Sequence, residues 1–195
     1  MSGSGSLESP RTTLIVIGIS GSLQSTIPKE TDTLPTTGML ISKVGALWLL
    51  ILSAPANEFL GSAWEYDETT DEYYLCLFCK QQPDLNWENP AVRKQVHDVM
   101  LFWLDRGTDG FRMDVINFVS KDQAFPDSDK TVLRGHEFYA CGPRCHEFLK
   151  EIGAILQEYD AFSVGEMPCV HDERELIKAV RGDRGELSMI FHFEL

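Results

Sequence analysis

The sequence predicts an α/β fold with about three parallel strands, flanking helices and an irregular N-terminal leader. From residue 89 onward, segments with helical apolar spacing alternate with short apolar segments typical of strands. Helical crossovers between successive strands favour parallel pairing. The 195 residues are 43% hydrophobic and 10% aromatic, which is enough to bury a core. The chain is therefore expected to form one domain with an appendage.

The charge balance disfavours partners that carry negative charge. The chain has 17 Lys and Arg against 30 Asp and Glu, a formal net charge of −13. Such a chain repels phosphate backbones and anionic lipid, so we expect no nucleic-acid partner. Its five cysteines follow no disulfide framework and indicate free thiols in a reducing compartment. The sequence therefore predicts a cytoplasmic protein without cofactor or metal.

Residues 1–56 differ in amino-acid composition from the rest of the chain. They begin with Gly and Ser, continue through Ser/Thr/Pro-rich sequence, and indicate an irregular leader. Residues 44–54 are apolar and uncharged. This run is shorter than the roughly 18 to 20 residues that span a bilayer, and it lies too far into the chain for a typical secretory signal. We therefore expect no membrane association, and a second unit over residues 57–195.

The first helix and strand are predicted between residues 89 and 116. Asn89 and Pro90 form a helix start, and apolar residues follow at helical spacing until Gly107. Residues 111–116 then alternate as a strand, which places Arg112 and Asp114 on one face.

Two further helix–strand units follow. Gly142 and Pro143 open a second helix, which leads to a short buried strand at residues 161–166. A third helix over about 172–180 leads to a third strand at residues 187–192. The result is a β-α-β-α-β run with parallel strands.

Two carboxylates are predicted at the carboxyl ends of neighbouring strands. Asp114 ends one strand and Glu166 ends the next, so they are expected to be neighbours. Arg112 would keep Asp114 ionised as a nucleophile. Glu166 has less evident charge compensation, so desolvation would favour its protonated form as a general acid. Held about 5 to 5.5 Å apart, such a pair performs retaining glycoside hydrolysis, although structural acids at strand ends remain an alternative.

Two segments resemble signature regions of the α-amylase family, glycoside hydrolase family thirteen. They are residues 109–116, Asp-Gly-Phe-Arg-Met-Asp-Val-Ile, and residues 164–168, Val-Gly-Glu-Met-Pro. Residues 82–86, Gln-Pro-Asp-Leu-Asn, resemble the marker of the oligo-1,6-glucosidase and α-glucosidase branch, and residues 61–67 fit the same branch. The resemblance covers about residues 57–195 and implies part of a TIM (β/α)8 barrel.

The resemblance also implies roles for individual residues. Asp114 matches the nucleophile, Glu166 the acid/base, and Arg112 the arginine beside the nucleophile. Val115 matches a position associated with α-1,6 linkages. Phe78 resembles an aromatic wall of the sugar pocket, with a plain core phenylalanine as an equal alternative. The implied activity is a retaining α-glucosidase that hydrolyses terminal glucose from oligosaccharides of the isomaltose and maltose type.

The chain also departs from the family pattern. The family's Asn-His signature, its His-Asp signature and its third catalytic aspartate are not found. Three strands cannot close an eight-stranded barrel, which takes about 250 residues. We therefore expect a barrel fragment that is inactive by itself, with a leader that is either a gene-model artefact or genuine.

Two other classes of function remain as alternatives. One is a glycosidase-like protein without activity, such as a transporter-associated ectodomain, although the presence of both Asp114 and Glu166 opposes it. The other is a zinc module built from Cys76, Cys79, Cys141 and Cys145, which their spacing disfavours.

Overall fold

The computed structural model describes residues 14–17, 26–28, 62–129 and 135–192. The strands are β1 Leu14–Ile17, β2 Thr26–Pro28, β3 Trp64–Asp67, β4 Glu72–Leu75, β5 Gly110–Met113, β6 Phe162–Glu166 and β7 Met189–Phe191. The helices are α1 Pro90–Leu104, α2 His136–Tyr139, α3 Cys145–Glu158 and α4 Glu173–Val180, with a 3-10 turn at Ile116–Phe118.

A parallel sheet with the strand order β1-β5-β6-β7 forms the centre of the described fold. All three neighbouring pairs are parallel, which confirms the predicted pairing of the three strands that follow residue 89. Strand β5 is shorter than predicted, because it ends at Met113 and Val115 turns the chain with a φ of 39°. Asp114 therefore follows the strand directly rather than lying within it.

The leader is not irregular throughout, so that prediction is wrong for two of its segments. β1 pairs in parallel with β5 from Leu14–Gly110 to Ile17–Met113, and β2 pairs antiparallel with β4. The sequence Leu-Ile-Val-Ile in β1 consists largely of β-branched residues that favour strands. Residues 29–61, with the apolar run at 44–54, lie outside the described residues, and the boundary at residue 56 stays a prediction.

Helix α1 begins where its capping residue predicts, whereas α3 begins at Cys145, after the predicted start at Gly142 and Pro143 and without a capping side chain. The Asn89 side chain accepts a hydrogen bond from the Ala91 N–H at 2.9 Å, which caps α1 beside Pro90. Arg93 on α1 pairs with Glu151 on α3 at 3.0 Å. The central core side chains, fully buried, come from α1, β5 and α3: Met100, Phe111, Met113, Phe148, Leu149 and Ile152.

One close backbone approach locks α3 against the loop before β7. A Cβ atom built on Gly153 would lie 1.9 Å from the Gly185 carbonyl oxygen, far inside van der Waals contact. Gly182, in the same loop, has open space around the corresponding position. Packing therefore requires a glycine at position 153 and not at position 182.

We predict that Gly153→Ala destabilises the chain by about 1 to 3 kcal/mol, because overpacking outweighs the gain in helix propensity. The free energy of unfolding, measured by urea titration, tests this. Gly182→Ala is the matched control and should stay within about 0.5 kcal/mol of the parent. Equal stability of the two variants would contradict the close approach.

Candidate active site

The register between β5 and β6 places the two predicted carboxylates side by side. Met113 on β5 pairs with Gly165 on β6, and the next residues along the sequence are Asp114 and Glu166, respectively. Parallel strands end at the same edge of a sheet, so both side chains emerge together. The prediction that they are neighbours is confirmed.

Arg112 bridges the two carboxylates. Its Nη1 donates to Asp114 Oδ1, and its Nη2 donates to Glu166 Oε2 at 2.6 Å. Arg112 therefore supplies Glu166 with charge compensation that was less evident from its sequence surroundings. Arg112 lies opposite Val164 in the sheet, two residues before Glu166, so the contact depends on pairing between strands and not on local sequence.

The two carboxyl groups differ in exposure. The Asp114 side chain is 46% exposed, whereas that of Glu166 is only 5% exposed. Burial raises the pKa of Glu166, and the hydrogen-bonding contact with Asp114 raises it further. Arg112 and the Val115 N–H, 3.4 Å from Glu166 Oε2, act in the opposite direction without cancelling this increase. The predicted preference of Glu166 for its protonated form is thus supported by its surroundings.

The turn after β5 is strained at Val115. This residue has φ 39° and ψ 44°, a left-handed conformation that β-branched residues rarely adopt. Its side chain is buried, and its carbonyl accepts from the Phe118 N–H at 2.9 Å in the 3-10 turn. Strained backbone is often retained where it aims a functional group. Here the turn directs the Val115 N–H toward Glu166.

Asn117 connects the segments that follow β5 and β6. It is fully buried, and its Nδ2 donates to the Pro168 carbonyl oxygen at 2.7 Å. Pro168 follows Glu166 by two residues, so this bond ties the turn after β5 to the loop after β6. Asn117 was not predicted from the sequence, because an asparagine in a turn carries no signal of a distant partner.

A buried ion pair supports the same turn from the other side. Asp84 and Lys121 are 4% and 7% exposed, and Lys121 Nζ lies 2.7 Å from Asp84 Oδ1. Lys121 also donates to the Phe118 carbonyl at the end of the 3-10 turn. Asp84 belongs to the Gln-Pro-Asp-Leu-Asn segment, which marked the family branch but revealed no partner. Its structural role was therefore missed.

The remaining predicted site residue, Phe78, follows β4. It is partly exposed and packs against the hydrophobic core. This position supports a core role without contradicting an aromatic wall, so both interpretations stand. The structure thus brings together Arg112, Asp114, Val115 and Glu166, whereas Phe78 packs against the hydrophobic core.

Over residues 62–129 and 135–192, no three His, Cys, Asp or Glu side chains are arranged to hold a metal ion. The helices of this part of the chain are too short or too polar to cross a bilayer. All five cysteines are free of disulfides.

Comparison with known proteins identifies the class that this fold and site define. Residues 53–195 match the family model of the alpha amylase catalytic domain. The chain belongs to this family, as the resemblance of the segments around Asp114 and Glu166 to its signature regions had indicated. Its four-stranded parallel sheet with flanking helices is part of the TIM barrel found in its structural neighbours.

Particular relatives are similar over the same region. An alpha-glucosidase of Schizosaccharomyces pombe is 59% identical over 138 residues, which are 68% of this chain and 24% of that protein. An oligo-1,6-glucosidase of Parageobacillus thermoglucosidasius is 55% identical over 70% of this chain and 25% of that protein. The crystal structure of Bacillus licheniformis trehalose-6-phosphate hydrolase aligns with a TM-score of 0.77 and 34% identity over 93% of this chain and 33% of that one. The chain thus spans about a quarter of the length of these curated relatives.

We predict that the pKa of Glu166 moves in opposite directions when its two charged neighbours are neutralised. Arg112→Met removes a cation that favours the carboxylate, so the pKa of Glu166 should rise. Asp114→Asn removes a negatively charged neighbour, so the pKa of Glu166 should fall. The carboxyl carbon shift of Glu166, followed by NMR against pH, measures both changes.

Arg174→Met is the control for this titration, because Arg174 pairs with Asp172 at the surface, away from the carboxylate pair. It should leave the pKa of Glu166 unchanged. A lower pKa of Glu166 in Arg112→Met, or a higher one in Asp114→Asn, would contradict the arrangement in which Arg112 bridges the two carboxylates.

Proposed function

We propose that this chain is the nucleophile and acid/base segment of a retaining α-glucosidase. Its substrates would be short oligosaccharides of the isomaltose and maltose type, from which it releases terminal α-linked glucose. The observation that carries the proposal is the pair Asp114 and Glu166, joined by Arg112 at the carboxyl ends of adjacent parallel strands. Relatives named alpha-glucosidase and oligo-1,6-glucosidase support the substrate class.

In the first step, Asp114 attacks the anomeric carbon of the terminal glucose and forms a covalent glycosyl-enzyme. Glu166 donates its proton to the departing glycosidic oxygen, which its raised pKa favours. Arg112 holds the Asp114 carboxylate and compensates the charge that Glu166 gains when it loses its proton. In the second step, Glu166 accepts a proton from water, which attacks the anomeric carbon and releases glucose with retained configuration.

We also infer unequal mobility for the two carboxyl groups. They are in hydrogen-bonding contact, closer than the roughly 5 to 5.5 Å that a sugar between them requires. Glu166 is buried and held by Arg112 and the Val115 N–H. Asp114 is nearly half exposed, so we propose that it moves to admit the substrate.

We further propose roles for Val115 and Phe78 in substrate recognition, and a cellular location. Val115 would favour α-1,6 linkages, and Phe78 would contact the sugar if it forms the aromatic wall. The free thiols of all five cysteines support a cytoplasmic location.

We predict that, in a full-length protein containing this segment, Asp114→Asn abolishes turnover. Glu166→Gln should slow oligosaccharide cleavage much more than aryl α-glucoside cleavage, because a phenol leaves with little protonation. Steady-state rates on isomaltose, maltose and an aryl α-glucoside measure this. Asp172→Asn, at the exposed start of α4, is the control and should leave all rates unchanged. An equal effect of Glu166→Gln on both substrate types would exclude its role as general acid.

We also predict that the 195-residue chain by itself hydrolyses none of these substrates. Asp114 is half exposed to water, which weakens the electrostatic contribution of the site. A misplacement of about 1 Å already costs on the order of a hundredfold in rate. Glucose release should equal that of the Asp114→Asn chain, and a reproducible excess would show that the segment assembles a working site.

A further inference from the structure

Two cysteines converge on the turn that follows Asp114. The Cys141 N–H donates to the Asn117 carbonyl oxygen at 2.9 Å, and the Cys145 Sγ lies 3.9 Å from the same oxygen. Between them, the Cys145 N–H donates to the Gly142 carbonyl at 3.0 Å and closes a tight turn. This turn brings the first residue of α3 back beside Cys141, so the two cysteines lie against the same carbonyl oxygen.

The two thiols differ in accessibility. Cys145 is 1% exposed, whereas Cys141 is partly exposed and has a left-handed φ of 51°. The side-chain hydrogen bond with Cys141, together with burial, raises the pKa of the Cys145 thiol, so this thiol is the less reactive of the two until a base takes its proton. A reagent from solution therefore reaches Cys141 first, with Cys145 directly behind it. This is the arrangement of an attacking thiol and a resolving thiol.

We propose that Cys141 and Cys145 form a thiol–disulfide modification site for a small disulfide such as glutathione disulfide. The Cys141 thiolate attacks one glutathione sulfur, forms a mixed disulfide and releases one glutathione thiolate. The departing glutathione thiolate takes the Cys145 proton, and the Cys145 thiolate then attacks the Cys141 sulfur and releases the second glutathione as a thiolate, which solvent protonates. The two protein thiols are oxidised by two electrons, and one glutathione disulfide is reduced to two glutathione molecules.

Oxidation at this site acts on the candidate active site through Asn117. The disulfide removes the Cys145 S–H from the Asn117 carbonyl, while the Asn117 side chain still binds the Pro168 carbonyl. The residue that connects the two carboxylate-bearing strand ends therefore changes its surroundings with redox state.

The second cysteine pair is an internal comparison. Cys76 is buried and Cys79 is partly exposed, but the Cys79 thiol is directed to Gln82 Oε1 at 3.1 Å. The spacing of this pair resembles a redox motif more closely than that of Cys141 and Cys145. Preference for Cys141 and Cys145 would therefore reflect the tertiary arrangement rather than the spacing.

The experiment equilibrates the full chain with reduced and oxidised glutathione, quenches it with acid, alkylates free thiols and digests it with trypsin. Cleavage after Arg144 separates the two cysteines, so their disulfide joins peptides 135–144 and 145–150 in the mass spectrum. The same equilibration in urea measures the unfolded chain. We expect the equilibrium constant for this disulfide to be roughly tenfold higher in the folded chain.

Variants resolve the two steps. Cys145→Ser should accumulate glutathione on Cys141, because the resolving thiol is gone, and Cys141→Ser should form neither the adduct nor the linked peptides. Cys79→Ser is the control and should leave the linked peptides unchanged. A folded-to-unfolded ratio of one or less, or no glutathione on Cys141 in Cys145→Ser, would overturn the proposal.

Discussion

The register between β5 and β6 is the constraint on which the candidate site depends. Pairing Met113 with Gly165 brings Asp114 and Glu166 to the same edge and places Arg112 within reach of both. A slip by one residue would reverse the faces and direct one carboxylate into the core. The apolar side chains of Phe111 and Met113, both fully buried, oppose such a slip, because their burial requires this face.

Buried polar contacts hold the loops beyond these strands. Asn117 binds the loop after β6, and Lys121 joins Asp84 to the end of the 3-10 turn. A buried charge is costly unless it is paired, so each partner of the Asp84–Lys121 pair needs the other. The strained Val115 turn therefore lies between two sets of directional contacts, which offset its unfavourable backbone conformation.

Local sequence signals predicted those elements that depend on local physics. Asn89 and Pro90 mark the start of α1 because a cap and a proline act within one turn. The alternation around Arg112 and Asp114 indicated β5. The leader strands β1 and β2 were missed, since a short strand acquires its hydrogen-bond partner only from a distant segment. For the same reason, no local pattern pointed to Asn117 or Lys121.

The sequence by itself determined the alternation of helices and strands, the two carboxylates at strand ends and the family to which the chain belongs. The first two follow from residue type and spacing along the chain, and the family follows from the resemblance of two segments to its signature regions. The tertiary structure decided that Arg112 serves Glu166 as well as Asp114, that Asp84 lies in a buried ion pair, and that Cys141 and Cys145 share the Asn117 carbonyl. Each of these contacts joins segments that are distant in sequence or depends on a turn with an unusual backbone conformation. Such a contact forms only when packing and hydrogen bonding bring the partners together.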